Sequence, residues 1–462
     1  MENSEKRGKK RLIIVKNVKK RWKKSIEYDI LYVIYVHIKW IGKRVPRAEK
    51  GANMLVALVP LFDESMAVKA YSLFSQKENF LMNPMLLGTG RNDGASRVQG
   101  LELIENMGME TISQNQEVFV PINNISIFSD IESECSAPKS RLVLLIDNTI
   151  PPVDMYVNRL KELKGKGYKI AIRKLRVAEF ENYRAILNLM DYVVLNSKKI
   201  AIDKAKIYFG KLFPNIKLCA GNIDTMEQFE KLRETGGYHL YEGDFYRVPV
   251  TKGQTEVAPL KVNYIQLLNM VNDDNYELTK AADIIARDTA LTLSLLQMVN
   301  NMARNSEITS IRHAAAMLGQ KELKKWINTA VVNIMYSDKP SEVTRVSLLR
   351  AKFAENLAKT FSLAGKTEEL FLMGLFSVLD VILEKTMVDA LEVVKVSKDI
   401  EDALAYGKGK LAPILDFVKK YESADWAEIS RQMVLHNIDM DVVETAYMDA
   451  LVWYRRLLNA KV

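Results

Sequence analysis

Cysteine and histidine are scarce in this 462-residue chain, which holds two Cys, Cys135 and Cys219, and four His. Two thiols far apart in sequence build neither a disulfide framework nor a cysteine-rich zinc site, and they suit a reducing compartment. Twelve prolines and 21 glycines are too few for a collagen-like or low-complexity chain. Long apolar runs are also missing. The stretch Ile30–Ile41, interrupted by His37 and Lys39, falls short of the roughly 20 residues that a spanning helix needs. Lys39, Lys43 and Arg44 stand where a secretory signal would carry small residues and a cleavage site. A cytoplasmic protein is expected.

What is present is ordinary globular material, 48% hydrophobic and 27% charged, long enough for about two or three domains. The net charge of +9 is local. Residues 1–50 hold 16 Lys and Arg against five acids, a balance of +11, so the rest of the chain is at −2. A body that binds nucleic acid would carry its basic footprint on a folded face. The basic leader, residues 1–53, reads in two ways. It is a weakly ordered extension, with Met1 or Met54 as the true start, or it makes weak contacts with an anionic membrane or with nucleic acid.

From Met54 two textures follow. Up to about Lys252, short apolar runs alternate with amphipathic stretches. The runs are Leu55–Phe62, Glu117–Asn123, Arg141–Asp147, Lys169–Leu175, Tyr192–Asn196, Lys217–Asn222 and His239–Phe245, with the look of buried parallel strands. Helices are expected over Val153–Lys164, Val177–Met190, Ile200–Leu212 and Met226–Thr235, the first and last closed by glycines. Repeated β-α units over this length point to a parallel α/β barrel, with an open doubly wound sheet as the competitor. From Leu260 onward the periodicity is helical, as in Leu291, Leu295, Leu296 and Val299. The expected division is leader 1–53, barrel 54–250, linker 251–259 and helical domain 260–462.

The first half resembles the EAL family of cyclic-di-GMP phosphodiesterases, which are TIM-like barrels. The resemblance rests on MLVALVPLFDESMAVKAYSLF from residue 54, GYKIAIRKL at 167–175, DYVVLNSKKI at 191–200 and LCAGNIDTMEQFEKLRETGGYHLYEGDFYRVP at 218–249. The second half resembles an HDOD domain in LTKAADIIARDTALTLSLLQMVNN from 278, ITSIRHAAAMLGQKELKKWI from 308 and ELFLMGLFSVLDVILEKTM from 369. Together these suggest a bacterial tandem EAL–HDOD signalling protein.

The EAL resemblance implies a site of carboxylates that hold Mg²⁺ or Mn²⁺ at the C-terminal ends of the strands, with metal-activated water as the nucleophile. Here the glutamate of the name-giving motif falls on Ser72. A second ligand position falls on Leu144 or Leu145, and an asparagine ligand on Asn123 or Asn124. The paired aspartates are replaced by Arg173 and Lys174, two cations that repel a metal ion. Val194, Asn196 and Gly221 take further site positions, while Asp224 and the Glu242-Gly243 pair lie at the end. Neither a cofactor nor a bound metal is expected, and catalysis is not.

Two uses remain for these residues. Arg173 and Lys174, with Asn123, Asn124, Asp224 and Glu242 around them, could contact the phosphates of cyclic-di-GMP without metal. Alternatively, the two cations are solvated or paired with rim acids such as Glu242 and Asp224. Side chains alternate along a strand, so one of the two cations faces the pocket at most.

HDOD domains are related to HD phosphohydrolases, yet none of His37, His239, His313 and His436 precedes an aspartate. Ser377 or a neighbour takes the histidine position and Asp380 stands alone. The run GTGRNDG at 88–94 lacks the context of a phosphate loop and reads as a surface loop. Trp326 and the Trp453-Tyr454-Arg455 cluster are candidate interface anchors, against ordinary packing. The reading is a non-catalytic signalling adaptor that acts through other proteins, with a metal-independent cyclic-di-GMP receptor as the alternative.

Overall fold

The computed structural model describes residues 54–77, 98–248, 259–273, 275–302, 308–335, 341–394 and 396–459. The leader 1–53, the loop at 88–94 and all but the last residue of the linker 251–259 lie outside the described residues. Eight strands close into a barrel in sequence order. They are β1 (Leu55–Phe62), β2 (Val68–Gln76), β3 (Glu117–Pro121), β4 (Leu142–Ile146), β5 (Lys169–Arg173), β6 (Tyr192–Asn196), β7 (Lys217–Ile223) and β8 (Leu240–Gly243). The α/β barrel expected from the sequence is therefore present.

Two details differ from the sequence reading. The first run, Leu55–Phe62, is not parallel: β1 pairs antiparallel with both β2 and β8. A further strand, β2, was not expected, because Lys69, Ser72 and Ser75 dilute its apolar texture. The register pairs Leu55 with Gln76 and Leu61 with Glu242, so the β1–β2 ladder rises past the end of β8. It stands as a wall above the C-terminal rim of the barrel.

The barrel helices are α1 (Leu101–Met107), α2 (Met109–Ser113), α3 (Ile131–Glu134), α4 (Asp154–Gly165), α5 (Arg184–Leu187), α6 (Ile202–Leu212) and α7 (Met226–Thr235). The helix expected over Val177–Met190 is reduced to a 3-10 turn, Val177–Glu179, and the single turn α5. Local hydrogen bonds take its place. Glu179 caps Arg176 through both backbone and side chain, and the Tyr183 hydroxyl donates to the Asn148 carbonyl at 3.1 Å.

The remaining helices are α8 (Pro259–Val271), α9 (Leu278–Ile285), α10 (Thr289–Met302), α11 (Ile311–Met335, kinked at Gly319), α12 (Ser341–Leu357), α13 (Thr367–Phe376), α14 (Leu379–Leu383), α15 (Met387–Val393), α16 (Lys398–Tyr406), α17 (Ala412–Glu422), α18 (Trp426–Leu435) and α19 (Met440–Asn459). The all-helical second half is thus as expected. Among the described residues, α8 to α10 and most of α11 gather in one compact unit, and α12 to α18 gather with the barrel strands in another. Within the smaller unit, Leu267, Leu268, Ala281, Ile285, Leu295 and Val331 form the core.

Within the larger unit, helices from the end of the chain pack on the β1–β2 wall. The Tyr421 hydroxyl accepts the Val56 N–H at 3.1 Å, and Glu444 accepts that of Met54 at 3.3 Å. Helix α12 lies in the middle of this packing and buries Glu342, Arg345, Ser347, Arg350 and Lys352. Buried charge is tolerated only when paired. Here Glu342 meets Arg345 at 2.7 Å, Lys352 meets Glu355, and Ser347 donates to the Leu375 carbonyl. The α12–α13 contact is so close that Gly374 rests directly on the backbone of Ala351.

Candidate functional site

Alternation along the strands decides which side chains enter the barrel. Leu61, Ala70, Phe119, Val143, Leu145, Ala171, Tyr192, Val194, Cys219 and Leu240 form its apolar core. Continuing each inward register to the C-terminal end brings Ser72, Leu145, Arg173, Val194, Gly221 and Glu242 to the mouth. Leu145, rather than Leu144, is the residue that faces inward. This layer holds one cation, one carboxylate and one hydroxyl among apolar groups.

Those three polar groups are bonded to each other. The Ser72 hydroxyl donates to Glu242 Oε2 at 2.9 Å, and Arg173 Nη2 donates to Glu242 Oε1 at 3.1 Å. The guanidinium also lies 5.0 Å from the centre of the Phe74 ring, a cation–π contact. Its other terminal nitrogen, Nη1, is buried without a hydrogen-bond partner. Glu242 is 7% exposed, so its charge depends on Arg173 for compensation.

The other candidates fall outside this cluster. Lys174 leaves the strand in a left-handed conformation (φ 64°), points to solvent and pairs with Asp147 at 2.9 Å, not with Asp224. Asp224 lies at the rim, paired with Lys198 at 2.5 Å. Asn123 spends its side-chain oxygen on the N–H groups of Ile125 and Ser126, closing its own loop. Asn124 is exposed, and its backbone carbonyl accepts the Tyr156 hydroxyl at 3.3 Å. Among the described residues, no group of three or more His, Cys, Asp or Glu is arranged to hold a metal ion.

Beside Glu242, a cavity of about 160 Å³ opens at the ends of β7 and β8 and against the middle of β1, with α12 and α17 on its far side. Arg247 and Glu422 line it, as do Glu342 and Arg345. The Tyr71 hydroxyl donates to Glu342 Oε2 at 2.8 Å, and Arg345 lies 4.8 Å from the centre of the Tyr71 ring. Burial pushes the Tyr71 hydroxyl well above its ordinary pKa. No sequence pattern marks this set: Glu342, Arg345 and Glu422 read as polar positions of amphipathic helices, while Tyr71 and Arg247 come from a strand and a turn far away in sequence.

In the helical half, Ser377 closes α13. Its hydroxyl donates to the Gly374 carbonyl at 2.7 Å and accepts from Arg350 Nη1 at 3.1 Å. Asp380 is largely buried, and desolvation raises its pKa above the usual aspartate value. His239, His313 and His436 are exposed. Trp326 is half-buried. In the C-terminal cluster Trp453 and Tyr454 are buried, and Arg455 donates to Thr111 and Glu110 on α2.

Residues 257–403 match the HDOD domain family. They form an HDOD domain. A cyclic di-GMP phosphodiesterase, CdgJ of Vibrio cholerae, is 27% identical over 321 residues, which cover 68% of this chain and 74% of CdgJ. The uncharacterized protein YuxH of Bacillus subtilis is 25% identical over 88% of this chain and its own whole length. An EAL domain protein of Listeria monocytogenes EGD-e aligns with 42% of this chain and 87% of its own at 16% identity, with a TM-score of 0.32. The HDOD domain includes α12 to α15, with Arg350, Ser377 and Asp380, whereas Glu422 lies beyond it. Among the described residues no helix is long and apolar enough to cross a membrane.

Proposed function

We propose that this chain is a non-catalytic regulator in cyclic-di-GMP signalling, acting through protein–protein interaction. One observation carries the reading: the guanidinium of Arg173 stands in the barrel mouth, 3.1 Å from Glu242, at a position where the EAL resemblance expects a metal-binding carboxylate. A fixed cation there neutralises the one inward carboxylate and repels a divalent ion. Ser72, Leu145 and Gly221 supply no charge to offset that repulsion. The HDOD domain and the relationship to CdgJ support the signalling context. Because CdgJ is named as a phosphodiesterase, hydrolysis is the reading that must be tested against.

A specific observation favours a second reading, a metal-independent cyclic-di-GMP receptor. Arg173 Nη1 is a buried donor without an acceptor, and a phosphate oxygen would satisfy it. Calorimetric titration of cyclic-di-GMP into the full chain, with and without Mg²⁺ or Mn²⁺ and with product analysis, separates the readings. No heat and no linear dinucleotide are expected. Metal-independent binding that Arg173→Ala abolishes would establish the receptor. Metal-dependent release of linear product would overturn both.

A further inference from the structure

Glu422, at the end of α17, is a partly buried carboxylate shared by two arginines from different parts of the chain. Arg247, in the turn after β8, donates Nη1 to Glu422 Oε2 at 3.0 Å. Arg350 of α12 reaches both Glu422 oxygens from Nε at 2.9 Å and approaches with Nη2 at 2.8 Å. From Arg350 the chain of contacts continues through Nη1 to the Ser377 hydroxyl, where α13 ends. Asp244 is a further partner of Arg247 at the barrel exit, and Lys419 and Asp380 flank the arginines from α17 and α14. The side chain of Arg350 is 4% exposed, and those of Arg247 and Glu422 are 13% and 14% exposed.

We propose that Glu422 couples the barrel mouth to the α13–α14 junction of the HDOD domain. The arrangement has two properties that a static staple lacks. Both guanidinium groups share the same carboxylate, so release of one changes the balance for the other. Arg247 and Glu422 also line the cavity at the barrel mouth, which gives an incoming group access to one end of the relay and gives the side chains room to move. Coupling of this kind is reciprocal: a perturbation at either end is felt at the other. The proposal rests on this geometry and not on whether the barrel binds a dinucleotide.

Hydrogen exchange followed by mass spectrometry on the full chain tests it. Arg247 is linked to Ser377 through Glu422 and Arg350, so Arg247→Ala reports on transmission. The expected result is exchange on the order of fivefold faster or more over residues 374–383. Ser377→Ala is expected to speed exchange over residues 240–247 in turn. Changes confined to the neighbourhood of each altered side chain would overturn the proposal and leave Glu422 as a local staple. If Arg247→Ala fails to fold, Arg247→Lys keeps the charge but loses the forked geometry. It should then show the same remote pattern at smaller amplitude, and a purely local pattern would again overturn the coupling.

Discussion

Arg173 on β5 and Glu242 on β8 come from non-adjacent strands and meet at 3.1 Å across the barrel mouth, so the ion pair ties two sides of the barrel together. Removing the cation leaves Glu242 buried with only the Ser72 hydroxyl beside it. Arg173→Ala should therefore lower unfolding stability by about 2–4 kcal/mol. The double variant Arg173→Met with Glu242→Gln should recover most of that loss, since a buried pair exchanged for neutral groups is often close to neutral. Urea unfolding of the wild type, Arg173→Met, Glu242→Gln and the double variant gives the cycle, with Arg173→Ala measured beside it. A double variant no more stable than Arg173→Ala would contradict it.

The Tyr71 hydroxyl bonds a buried carboxylate from a helix 271 residues later. Tyr71→Phe keeps the ring under Arg345 and removes one hydrogen bond to a charged group. A loss of about 1.5–3 kcal/mol is expected, again from denaturant unfolding. Glu342→Gln should cost more than Tyr71→Phe, because it strips Arg345 of its nearest anion.

At Gly374, a β-carbon would fall 2.4 Å from the backbone nitrogen of Ala351. That atom belongs to a helix and cannot turn aside as a flexible side chain would. Gly374→Ala is expected to cost at least about 3 kcal/mol or to abolish soluble expression. Gly365, where a β-carbon would meet nothing within 4 Å, is the control: Gly365→Ala should express and unfold like the wild type.

Asp380 gives a pH-dependent prediction. Burial holds its proton more tightly in the folded protein than in the unfolded chain. The group therefore lowers stability progressively as pH rises from the ordinary aspartate range to its raised folded value, and by a constant amount above that. Asp380→Asn should raise the melting temperature at pH 7, and the gain should shrink as pH falls toward the ordinary aspartate range. An equal gain at both ends of that range would mean that ionisation of Asp380 is not its source.

Much of the barrel was legible because its strands are short, apolar and bounded by turns; Leu55–Phe62 and Tyr192–Asn196 coincide with β1 and β6. Strand β2 was not, since only some of its residues face the core and Lys69, Ser72 and Ser75 interrupt them. Alternation allows one of Arg173 and Lys174 to face the pocket without saying which, and it leaves Glu242 and Asp224 both open as partners; closure of the barrel, which joins residues 69 apart in sequence, selects Arg173 and Glu242. Glu422 was invisible for a similar reason. It reads as the polar end of an amphipathic helix, and its burial comes from Arg247 and Arg350, which local pattern cannot bring to it.

The bonds from Tyr421 and Glu444 to the first strand have a consequence for synthesis. The partner of the Val56 N–H lies 365 residues downstream. At ordinary elongation rates the first strand waits roughly 20 to 70 s for it. Throughout that time the upper edge of the β1–β2 ladder is without its native cover, so the emerging barrel is the state for which chaperones would compete. A chain cut after β8 but before Tyr421 would hold all eight strands of a barrel whose opening strand can never be sealed.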